Sequence, residues 1–165
     1  MFSEPIHPAV VHFPMALVCL LPIFAAAGLW AIHRGAPHLR AWALPVALAA
    51  GLAASSFVAV RTGEADEERV EEVVPERVIH EHEEAAERFL ILSAGLLIVA
   101  GAGLMRTRLG RIARVATLLG SIGLVAAGVQ VGAKGGELVY RHGAANAYAE
   151  VPGAPTAERA PEPED

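Results

Sequence analysis

Four long apolar runs, Ala9–Ile32, Ala41–Val60, Phe89–Met105 and Ile112–Ala133, take up most of this chain. Arg114, just inside the fourth, is the one charged side chain in any of them. At about 1.5 Å per residue, each run reaches or nearly reaches across a hydrocarbon core of about 30 Å as a helix. Backbone groups find no water to bond there, so only helices and closed barrels span it. The pattern predicts an all-α fold, a four-helix transmembrane bundle embedded in a lipid bilayer and forming one domain over residues 1–150.

The loops give the orientation. His33–Arg40 carries Arg34 and Arg40, and the next short connection carries Arg106, Arg108 and Arg111, with Arg114 beside it. Dense arginine in short loops marks the cytoplasmic side. The other side takes both termini and the long Arg61–Arg88 segment, with all 18 acidic residues and the remaining basic ones. Net charge, −5, averages a basic face with an acidic one and offers nucleic acid no patch. The first run is too long for a signal-peptide core and lacks a basic lead-in, so no cleavage is expected. The single cysteine, Cys19, reads as a small buried apolar residue.

In the long outer segment, Gly63 sits where the second helix should stop. Pro75 suits the first position of a new helix. Nothing breaks a helix from Glu76 to Met105, so the third helix is expected to extend beyond the outer membrane face. On that extension Val78, His82, Ala85, Ala86 and Phe89 share one face, while His80 shares another with Glu83, Glu84 and Glu87. Gly128, Gly132 and Gly136 form a small-residue stripe suited to close helix contact or to a flat cofactor. Pro14 and Pro22 should bend the first helix. From Val151 the chain turns proline-rich and acidic, which predicts a disordered tail over 151–165.

The chemistry lies at the outer end. Four distant segments, HPAVVHFP from His7, RTG from Arg61, HEHEE from His80 and GGELVYRHG from Gly135, should meet there and bring five of the seven histidines together. His12 lies a turn inside an apolar run, where a bare imidazole is costly unless partnered. His12 and His82 are therefore expected to point inward at similar depth. Neutral imidazole is a common metal ligand. No CxxCH, HExxH or cysteine-rich zinc pattern is present.

HPAVVHFPMAL, the RTG after the second run, HEHEEAAERF and the closing GGELVYRHG resemble the DUF2231 family of predicted bacterial membrane proteins over about Ile6–Gly143. The resemblance implies a four-helix bundle, a bacterial cytoplasmic (inner) membrane, and site positions at His7, His12, His82 and His142. Related domains occur beside c-type cytochromes, which implies a haem-associated role.

Three function classes follow. The first is a b-type haem-binding or electron-transfer subunit, with His12 and His82 as axial ligands and Arg61, Arg88 and Arg141 on the propionates. Its partners would be a c-type cytochrome or other membrane subunits. The second is a divalent Zn or Cu site drawn from His12, His82, His80 and Glu84, with His7 or His142 nearby. The third is a structural or assembly subunit of a membrane complex. An ion-coupled transporter ranks last, because no carboxylate lies in a span. No catalytic residue is assigned, and a binding or structural role is expected rather than an enzyme.

Overall fold

A computed structural model of the chain describes residues 6–148. Four helices long and apolar enough to cross a membrane account for nearly all of it: α1 (His7–His33), α2 (His38–Val70), α3 (Glu76–Ala102) and α4 (Arg108–Tyr140). A 3₁₀ turn, Ala144–Tyr148, follows. No strand occurs among the described residues. The expected tail from Val151 lies outside them. Each helix packs on two neighbours, α1 on α2 and α4, α3 on α2 and α4, and the backbones of the diagonal pairs stay apart, so that only side chains meet across the centre. Short connections between consecutive helices make this an up-down bundle with an arginine end and a histidine end.

The core is one layered stack. Val18 and Leu21 of α1, Ala49 and Leu52 of α2, Phe89, Leu96 and Ala100 of α3, and Leu124 of α4 bury together. The outward side chains are equally apolar, among them Ile23, Phe57, Ile98 and Val129. A helix apolar all round belongs in lipid rather than in water. Cys19 departs from expectation, for it lies on this exposed outer face. Its position one residue after Val18 carries it off the buried stripe.

The arginine end is locked by close backbone approaches. Trp42 is fully buried and donates its indole N–H to the Ala100 carbonyl, 2.9 Å away. A Cβ on Gly103 would collide with that indole nitrogen, so only glycine fits there. Buried Arg114 donates to the carbonyls of Gly103 and Met105, which α3 leaves unpaired at its end. His38 adds a bond from Nε2 to the Leu104 carbonyl at 3.2 Å.

Proline and glycine mark the helices unevenly. α1 breaks at Val11, separating His7–Val10 from His12–His33, because Pro14 has no N–H to offer the turn before it. No helix break occurs at Pro22. Gly63 does not end α2, which continues through Glu64 to Val70. Those added residues are good helix formers, Arg61 pairs with Glu64 one turn on, and Gly63 has no positive φ. α3 begins at Glu76, directly after Pro75.

The glycine stripe of α4 is tight at one point only. A Cβ on Gly128 would lie 3.3 Å from Phe89 and 3.6 Å from Val18; one on Gly132 would lie 3.7 Å from the end of Met15. Gly136 faces only Tyr140 of its own helix. At the histidine end a second apolar cluster of Val74, Val78, Ile79, Leu138 and Ala144 ties the α2–α3 connection to α4 and the 3₁₀ turn.

Candidate functional site

The histidine end brings two imidazoles face to edge, and they are His7 and His82. Their ring centroids lie 6.4 Å apart with the planes at 82°. His82 occupies the inward face of α3 above Phe89, Ser93 and Leu96, as the periodicity predicts. His12 does not join it. Its side chain is exposed on the outside of α1. The reason is helical register: His7, Val11, Pro14, Val18, Leu21 and Ala25 recur every three or four residues along the stripe that turns inward, and His12 falls off it.

Each ring rests against a glycine of the following helix. A Cβ on Gly63 would sit 3.2 Å from Cε1 of His7, and one on Gly135 would sit 3.2 Å from Cε1 of His82. Thus the RTG and GGE segments serve the site by making room for imidazole. Thr62 contributes too. Nδ1 of His7 donates to the Ala59 carbonyl at 2.9 Å and lies 3.2 Å from the Thr62 hydroxyl, which itself donates to the same carbonyl. A carbonyl only accepts, so the proton is fixed on Nδ1 and the Nε2 lone pair of His7 is left free.

Both rings stand outside the apolar runs, and both are held neutral. Burial lowers the pKa of His7, against the opposing pull of the Ala59 carbonyl and Asp66. Burial also pushes His82 down to about 4, helped by His7 and Lys134. The Val131 carbonyl favours the protonated form of His82 without meeting hydrogen-bond geometry, and Nδ1 of His82 is buried with no partner. Two neutral imidazoles, each with an unfilled nitrogen, are therefore held face to edge beside one another.

Both rings border open space. On one side a cleft of about 380 Å³ runs between Gly63, Val70, Ile79, Leu138 and Tyr148. On another, one of about 430 Å³ opens between α2 and α3 at Glu64, Ala86 and Glu87. Below lies a void of about 60 Å³ reaching Met15, Ser56, Phe89 and Gly128, where the buried Ser56 hydroxyl has no partner. His7 and His82 border all three. Glu67 and Glu83 border the two larger clefts, and burial together with Glu67 raises the pKa of Glu83.

The other sequence candidates lie apart. Arg61, Arg88 and Arg141 are exposed and pair along their own helices with Glu64, Glu84 and Glu137, so none lines a cleft. An i,i+3 or i,i+4 carboxylate is simply the nearest partner for each. His80 is exposed, with Nδ1 3.9 Å from Glu83, and Glu84 is taken by Arg88. His142 borders none of the three clefts. Among the described residues no three His, Cys, Asp or Glu side chains converge as a metal-binding group. Sequence reasoning did not assign Thr62, Gly63, Lys134 or Gly135. Lys134 bridges from α4 to Glu81 of α3 at 3.3 Å, one residue from His82.

Residues 3–148 match the family model described as "Predicted membrane protein (DUF2231)". No curated protein and no solved structure matches the chain.

Proposed function

The chain belongs to the DUF2231 family of predicted membrane proteins, and from that premise we propose that it binds a b-type haem between His7 and His82. The carrying observation is the adjacent pair of neutral imidazoles, 6.4 Å apart between centroids and both bordering the same three clefts. A metal–imidazole nitrogen bond is about 2 Å long, and adding a ring radius of about 1 Å at each end puts the centroids of two opposed ligands roughly 6 Å apart. The centroid separation of 6.4 Å is of that order and supports the reading. A bare zinc ion suits the pair less well, since it needs four ligands in a tetrahedron.

In this reading the protein's own groups do defined work. The Ala59 carbonyl and Thr62 hold His7 in the tautomer that leaves Nε2 free. Gly63 and Gly135 admit the rings, and Val70, Ile79 and Leu138 supply apolar cover. When bound, haem supplies one-electron transfer. The arginine loops then face the cytoplasm, α3 projects past the outer membrane face, both termini lie outside a bacterial inner membrane, and a c-type cytochrome or another membrane subunit exchanges electrons there.

The test is an absorption spectrum of protein purified from haem-replete cells. We expect a Soret band that His7→Ala and His82→Ala each abolish and His12→Ala preserves. A colourless parent protein that also fails to take up added haemin would overturn the reading, as would a band indifferent to both substitutions.

A further inference from the structure

At the arginine end, a different surface carries its own ligand. We propose that the exposed face at the start of α4 binds an anionic phospholipid. Its phosphate sits between Arg108 and Arg111, and one acyl chain lies along Ile112, Val115, Ala116 and Leu119. These six residues line a shallow groove of about 540 Å³. All six are exposed, and Ile112, Val115 and Leu119 are 56, 49 and 64% accessible. Bulky apolar side chains left uncovered on a spanning helix are chain-binding surface, because lipid is what they meet.

Charge names the headgroup. Arg108 and Arg111 are three apart on one face and have no carboxylate partner among the described residues. At the histidine end the described arginines differ: Arg61, Arg77, Arg88 and Arg141 each pair with a glutamate, and Arg69 lies over the Tyr148 ring. Nor does the chain hold any acidic residue between Arg88 and Glu137 that could compete. Side chains lean toward a helix N-terminus, so both guanidinium groups reach back past the apolar run to phosphate level. Arg114, on the inward side, is taken by the backbone of the α3–α4 connection and leaves the phosphate to the outer pair. Guanidinium is a strong partner for phosphate, and the positive start of α4 adds to it.

Native mass spectrometry of protein released from nanodiscs tests this. With discs of phosphatidylglycerol mixed into phosphatidylcholine, we expect one phosphatidylglycerol retained per chain. Each basic residue near an anionic surface contributes about a fivefold gain in affinity, so Arg108→Gln with Arg111→Gln should lose roughly twenty- to thirtyfold. Arg34→Gln with Arg40→Gln, at the other basic loop, should lose little. Ala116→Phe keeps the charge and fills the groove, so it should also weaken retention and serves if the double variant does not fold. Equal retention of phosphatidylcholine, equal losses for both arginine pairs, or displacement by inorganic phosphate with no effect of Ala116→Phe would each overturn the proposal.

Discussion

Gly128 and Gly132 lie one turn apart on α4, and the same substitution should act on them in opposite directions. Replacing an unstrained helical glycine by alanine gains about 1 kcal/mol through backbone entropy. At Gly132 the new methyl meets only the end of the Met15 side chain at 3.7 Å, an ordinary contact with a flexible partner, so Gly132→Ala should keep that gain. At Gly128 the methyl sits 3.3 Å from Phe89 Cε2 and 3.6 Å from Val18 Cγ1. Phe89 is 6% and Val18 1% exposed, both held in the central stack, so neither can step aside freely. Overpacking of that kind costs about 1–3 kcal/mol. Gly128→Ala should therefore end near neutral to about 2 kcal/mol destabilised. Because the entropy gain is common to both, their difference, about 1–3 kcal/mol, isolates the cost of helix approach. Unfolding by sodium dodecyl sulfate titration from mild detergent micelles measures it. Should Gly132→Ala prove as costly as Gly128→Ala, α4 does not meet α1 and α3 where the structure puts them.

Three further outcomes are expected. Since His82 falls from its ordinary 6.5 to about 4 on burial, the unfolded chain binds the extra proton first as pH drops. Stability should therefore decline from about pH 6.5 to pH 4, and the difference curve against His82→Gln, which also subtracts the opposite slope of Glu83, should be flat if the reasoning is wrong. Arg114→Leu strands the carbonyls of Gly103 and Met105 and should cost about 1–3 kcal/mol in the same titration, whereas Lys134→Ala, at a half-exposed pair, should cost under about 1 kcal/mol. Single cysteines at Ser3 and Ala36, in a Cys19→Ala background, should label from opposite faces of spheroplasts; labelling from one face would refute the four-span topology.

The bundle was legible because a membrane removes alternatives: apolar runs of that length, with Arg114 their one charge, have few other forms. Pro75 marked the start of α3 for a local reason, its fixed φ, and the valine and phenylalanine spacing around His82 gave its inward face. The expectation that His12 faces inward failed because burial depth along the chain was taken for burial toward the core. Carried back from Val18, Leu21 and Ala25 through Pro14 and Val11, the buried stripe reaches His7, and that signal was available. Gly63 was ambiguous in a deeper way. Glycine serves a helix end and a crowded interior equally well, and only the ring lying across it, 56 residues away in sequence, decides between them. The ion pairs of the three arginines were foreseeable from their i,i+3 and i,i+4 glutamates.

Each ring leans on the helix that follows its own: His7 of α1 on Gly63 of α2, His82 of α3 on Gly135 of α4. Each of the two hairpins thus contributes one half-socket built from its own residues. The rings meet only when the two hairpins dock, so docking in the bilayer, and not translation of either half, is the event that creates the site. Two separately expressed hairpins, 1–72 and 73–165, should rebuild it, and any ligand bridging the rings would act as the clasp between them.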